Sequence, residues 1–119
     1  MYQYLVSKRM EIAACHKLDL PYDSPCSSYH GHNYLVTVYC KAEHLTNYGM
    51  VVDFAKVKKE IHGYLDHGNL NELLDFNPTA ESIAEWICNK VSELCETGYC
   101  YRVDVQESEG NIATYVEEK

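Results

Sequence analysis

An α+β layer, with a four-stranded antiparallel sheet carrying two helices on one face in the order ββααββ, is the architecture this sequence predicts. Three observations carry it: apolar and polar residues alternate near both ends of the chain, two central stretches have helical spacing, and turn-forming residues separate these runs.

From Tyr2 to Ala14 the residues are β-friendly over short range. Asn33 to Ala42 alternates, with Tyr34, Val36, Val38 and Cys40 on one side. Between these two strands runs "KLDLPYDSPCSSY", rich in Pro, Asp and Ser, a long loop of the kind that carries function. In "YGMVVDFAKVKKEIHGYLDHGNLN", Asp53 is placed to cap a helix whose stripe is Phe54, Val57, Ile61 and Leu65, ending near Gly68. "FNPTAESIAEWICNKVSELCETG" repeats the pattern. Asn77 or Thr79 caps, Pro78 suits a first turn, Ile83, Ile87, Val91 and Leu94 form the stripe, and Gly98 stops it. Finally Tyr101, Val103 and Val105 alternate, the chain turns near Glu109 and Gly110, and Ile112, Thr114 and Val116 resume the pattern.

The 119 residues contain no repeat or linker, so residues 1–119 are read as one domain. A net charge of -8 offers no basic stripe for nucleic acid or an anionic membrane. The start has no apolar leader, and no stretch has the length of a membrane span, so a cytoplasmic protein is expected. Six cysteines without a C-x-x-C pair then read as free thiols. Eleven tyrosines suit packing, an interface or a ring-binding pocket, and composition does not choose among these. A sheet this small leaves two edges and one face open, which predicts oligomerisation.

The chemistry centres on "PCSSYHGHNY". Residues two apart on a strand share a face, so His30 and His32 can aim at one point. If the first two strands pair across the long loop, His16 lies close to His30. Three neutral imidazoles without a fourth protein ligand match a catalytic zinc site with an open position, and no nearby carboxylate completes an iron-type triad. The opposing reading of the dipeptide alone is chance on a tyrosine-rich strand. Cys26 would lie near such a dication, which favours a reactive thiolate. Spacing leaves it as a base, a fourth ligand or an exposed cysteine.

Asp66 precedes His67 at the end of the first helix, a carboxylate–imidazole pairing suited to proton transfer, although adjacent side chains seldom bond and a polar helix terminus explains them equally. Glu107 has the parity of Tyr101, Val103 and Val105, so a half-buried acid faces the apolar side and needs a donor. That donor is a Lys, an Arg or the N–H edge of a heterocycle. His44 and His62 read as surface residues, Glu81 as a first-turn acid and Trp86 as packing.

In order, "AACHKL", "CSSYHGHNY", "YGMVVDF", "LDHGNLN", "NPTAES" and "VQESEGNIATY" resemble the 6-pyruvoyl-tetrahydropterin synthase superfamily over nearly the whole chain. The three residues between Cys26 and His30 are similar to those of the 6-carboxy-tetrahydropterin synthases of queuosine and other deazapurine biosynthesis, whereas the pyruvoyl enzymes usually carry a longer gap. The resemblance implies the tunnelling fold, in which three subunits close their sheets into a barrel and two trimers stack as a hexamer with active sites at subunit boundaries. It further implies zinc on His16, His30 and His32, Cys26 as the base, His67 with Asp66 as a proton relay, and Glu107 anchoring a pterin ring. The implied substrate is a small molecule, 7,8-dihydroneopterin triphosphate. Cys15, Ile12 and Tyr29 depart from residues frequent in the family.

Overall fold

Burial follows the alternation of the two longest strands. In the computed structural model, which describes residues 1–119, β1 (Tyr4–His16) and β2 (His30–Ala42) pair antiparallel with His16 opposite His30 and Tyr4 opposite Ala42. Met10, Ile12, Ala14 and His16 of β1 and Tyr34, Val36, Val38 and Cys40 of β2 are buried on the face that meets the helices. The alternate residues form the other face, as the period of two requires.

Asp53 caps the first helix as expected, its Oδ1 accepting from the Ala55 N–H at 2.9 Å. The helix is not continuous. It runs through α1 (Phe54–Val57), a π-helical turn at Lys58–His62 and α2 (Gly63–Leu65), and ends at Asp66 rather than near Gly68. The wider π turn brings positions four apart nearly into line, so Val57, Ile61 and Leu65 all point into the core. Phe54, read as part of that stripe, is 45% exposed.

Two short elements follow that the sequence did not announce. β3 (Gly68–Asn69) pairs parallel with Ala14 and Cys15, and α3 (Leu70–Leu73) begins where the Asn69 side chain accepts from the Asn71 N–H. The sheet is therefore five-stranded and mixed, in the order β3-β1-β2-β4-β5, rather than four-stranded and antiparallel. Two residues are too few to display a period.

Helix α4 (Ala80–Leu94) starts at Thr79, whose hydroxyl accepts from the Ser82 N–H at 3.1 Å, and buries Ile83, Ala84, Ile87, Cys88 and Val91. It ends at Cys95 before Gly98 is reached. Gly98 instead opens β4 (Gly98–Ser108), where a Cβ would run into the Lys41 carbonyl and the Ala42 side chain. β5 (Asn111–Val116) returns through a turn with Gly110 at φ 87°.

Two irregularities in β4 shift its parity. The first leaves Tyr101 between the Arg102 and Cys100 pairings. Its ring lies 6.2 Å from that of Tyr39 and 4.9 Å from the Lys41 ammonium, on the helix-free face and away from Val103 and Val105. The second leaves Glu107 unpaired between Gln106 and Ser108. Helices and sheet enclose one core of 23 buried residues.

Candidate metal centre and adjoining cleft

Register fixes the metal candidates before any side-chain detail does. His16 faces His30 and Ala14 faces His32, so three imidazoles meet on the helix-facing side at one end of the β1–β2 ladder. One ring nitrogen from each lies within 4.8 Å of the others. The His16 and His30 rings are 4.5 Å apart and the His30 and His32 rings 4.9 Å, both edge to face.

Hydrogen bonds set the tautomers. His16 Nδ1 donates to the Pro78 carbonyl at 2.8 Å, with the Tyr34 hydroxyl 3.2 Å away, and His30 Nδ1 donates to the Ser28 carbonyl at 2.8 Å. A carbonyl only accepts, so both Nε2 atoms are left with free lone pairs. Nε2 of His16 and Nε2 of His32 are buried and have no hydrogen-bond partner. Burial holds both imidazoles below their ordinary pKa, which keeps them neutral. Two buried ring nitrogens without a hydrogen-bond partner are costly in a metal-free core, and a divalent cation bound by neutral imidazoles would satisfy both. The donor set thus fits a metal ion held by three histidines.

Glu107 meets this trio. Its unpaired position on β4 carries the carboxylate to 3.6 Å from His32 Nε2 and 3.9 Å from His16 Nε2. The groups facing this acid are imidazole nitrogens, and neither Lys nor Arg. Glu107 also lines a cleft of about 550 Å³ together with Cys26, Thr79, Glu81, Tyr22 and Ile112. Cys26 enters that cleft on a single 3-10 turn, Pro25–Ser27, held by the Ser24 hydroxyl on the Cys26 N–H and by the Leu18 N–H on the Cys26 carbonyl. Its sulfur is not among the clustered metal-binding atoms.

Asp66 and His67 lie elsewhere, at the β3–β1 edge of the sheet, while Cys26 and Glu107 share their cleft with β5 at the other. Although adjacent in sequence they do bond: His67 Nδ1 donates to Asp66 Oδ2 at 2.8 Å. This is possible because His67 adopts φ 59°, the one non-glycine residue with positive φ, and its N–H bonds to the Ala13 carbonyl. The Ala13 N–H, and then His67, hold the Asp66 carboxyl below its usual range. His62, read as a surface residue, places Nε2 3.6 Å from the same Asp66 oxygen. Its spacing of four residues before Asp66 was the available signal. His44 is exposed, as expected.

Known proteins resemble this chain in sequence and in fold. The family model for 6-pyruvoyl tetrahydropterin synthase matches residues 5–118. A 6-carboxy-5,6,7,8-tetrahydropterin synthase of Bacillus subtilis is 31% identical over 125 residues, covering 96% of this chain and 86% of its own. The human 6-pyruvoyl tetrahydrobiopterin synthase is 32% identical over 132 residues, covering 95% and 91%. Among solved structures, the 6-pyruvoyl tetrahydropterin synthase of Caenorhabditis elegans superposes with a TM-score of 0.75 at 27% identity, over 97% of this chain and 96% of that one. No helix is long and apolar enough to cross a membrane. With the match running almost end to end and the fold in agreement, the chain belongs to the 6-pyruvoyl tetrahydropterin synthase family.

Proposed function

We propose that this protein is a zinc-dependent lyase that converts 7,8-dihydroneopterin triphosphate and one water to 6-carboxy-5,6,7,8-tetrahydropterin, releasing acetaldehyde and triphosphate, in the synthesis of queuosine and other deazapurine precursors. The observation that carries this reading is the convergence of His16, His30 and His32, two of them with orphaned Nε2 atoms, beside a cleft that holds Cys26 and Glu107.

His16, His30 and His32 would hold the zinc. When bound it supplies Lewis acidity towards the hydroxylated tail of the substrate. Cys26 withdraws a proton from that tail as a thiolate base, from a cleft wall that also carries Glu107. Glu107 accepts from the N–H and amino groups of the pterin, so that the ring is held and the tail meets the metal. His67, oriented by Asp66, gives and takes protons at its free Nε2 while triphosphate leaves and the tail carbon–carbon bond breaks. The relay and the Cys26 cleft sit at opposite edges of one sheet, which favours a site shared between copies of the chain, as in a barrel of three subunits stacked into a hexamer.

The test is mass spectrometry of the products formed by zinc-loaded protein from 7,8-dihydroneopterin triphosphate. A 6-carboxy product with acetaldehyde is expected, and Cys26→Ala should keep fold and zinc while losing turnover. Full activity in that variant would remove Cys26 as the base. The second reading is the pyruvoyl-forming reaction on the same substrate, favoured by the similarity to the human relative. It keeps the tail intact, so a 6-pyruvoyl product would establish it. The three-residue gap between Cys26 and His30 supports the first reading.

A further inference from the structure

Tyr34 is buried beside the histidines and takes no part in the proposed chemistry. It follows His32 by two residues on β2, so it shares the face of His30 and His32, and it is 2% exposed. Its hydroxyl lies 3.2 Å from His16 Nδ1, and that is the only hydrogen bond the hydroxyl makes. Its ring stands edge to face against His16 at 5.9 Å and against His32 at 5.3 Å. One side chain therefore touches both of the imidazoles whose Nε2 atoms have no hydrogen-bond partner.

For His16 this contact bears on the state of the ring. Nδ1 meets two oxygens, the Pro78 carbonyl at 2.8 Å and the Tyr34 hydroxyl at 3.2 Å. The carbonyl only accepts, so Nδ1 carries the proton, and the phenolic oxygen is a second acceptor for it. The opposite tautomer would set a ring lone pair against the carbonyl oxygen. Two acceptors on one N–H, one from β2 and one from the approach to α4, also resist rotation of the ring. His16 is 0% exposed, so solvent does not reach in to replace the hydroxyl.

We propose that Tyr34 is a positioning residue for the metal: together with the Pro78 carbonyl it holds His16 as the Nδ1–H tautomer and aims Nε2 at the ion. The assignment rests on the reading that His16, His30 and His32 hold a metal. Tyr34 acts through His16, because a ligating imidazole is oriented and made more basic by the acceptor that holds its other N–H.

The experiment measures the zinc affinity of the full chain by competition with a chromophoric chelator, beside the urea midpoint of the metal-free form. Tyr34→Phe keeps the ring and removes only the hydroxyl, so it should fold and bind zinc roughly tenfold more weakly, the low end for an outer partner of a ligating histidine because the Pro78 bond remains. Tyr39→Phe is the control. It removes a hydroxyl that donates to Asp104 at 3.0 Å on the helix-free face, and should lower the midpoint with zinc affinity unchanged. Ring 1H–15N spectra of the metal-free unmutated chain should show His16 protonated at Nδ1. Equal zinc affinity in the unmutated and Tyr34→Phe chains, an equal loss in Tyr39→Phe, or His16 protonated at Nε2 would each overturn the proposal. An unmutated chain that takes up no zinc would overturn the three-histidine reading itself, and this assignment with it.

Discussion

His16 is the fully buried member of the histidine trio, anchored by Pro78 from the approach to α4. Because burial keeps His16 and His32 neutral, the folded metal-free chain binds fewer protons than the unfolded chain, whose imidazoles titrate near about 6.5. Stability of the metal-free protein should therefore be full above that pH and fall as the pH drops through it. Urea unfolding of chelator-treated protein at pH 7.5 and pH 5.5 measures this, and equal midpoints would show that the rings are not desolvated. Substitutions separate the proposed roles further. His30→Ala should lose bound zinc by elemental analysis, while Glu107→Ala should retain zinc and weaken pterin binding. Zinc loss in Glu107→Ala would make the carboxylate a ligand, and unchanged pterin affinity would take it out of the pocket.

The start of α4 does two jobs at the scale of an element. The Thr79 hydroxyl satisfies the Ser82 N–H, and the preceding Pro78 carbonyl orients His16. Thr79→Ala should cost about 1 kcal/mol of stability, with Thr79→Ser restoring most of it because the capping oxygen remains. Denaturant midpoints decide this, and an unchanged midpoint in the alanine variant would mean that water caps the helix equally well. Both helix caps were legible because capping is local chemistry, one side chain serving an N–H two or three residues on. The π turn, β3 and the two irregular sites of β4 were not. Three of these four features meet partners distant in sequence: Ile61 and Leu65 both reach the core, Gly68 meets Ala14, and Glu107 reaches the imidazoles.

The whole molecule is elongated, 51 × 25 × 25 Å, because the 13-residue β1–β2 ladder outruns the helices that cover it. Tyr4 and Leu5 on β1 and Ile112 and Val116 on β5 stay exposed at or near the two open edges. Such edges invite pairing with other copies of the chain. If neighbouring copies complete each site, Cys26→Ala and His67→Ala chains should each be inactive alone. Mixed under exchange conditions, they should regain about a quarter of the activity, since random pairing leaves that share of boundaries with both groups intact. No recovery in mixtures shown to exchange by sedimentation or native mass spectrometry would place both groups of a site in one chain.

Local pattern was enough to set the four long strands, the two principal helices, their caps and the three histidines. Periodicity and capping are written in neighbouring residues, and a shared strand face follows from a spacing of two. Tertiary packing settled that Glu107 faces imidazoles, that Tyr101 turns away from Val103, that the first helix widens into a π turn, and that Asp66 and His67 bond despite being adjacent. Those outcomes depend on an unpaired residue, a positive φ and a π turn. Each carries a local conformational cost, offset by contacts between segments far apart along the chain, so no local pattern reveals them.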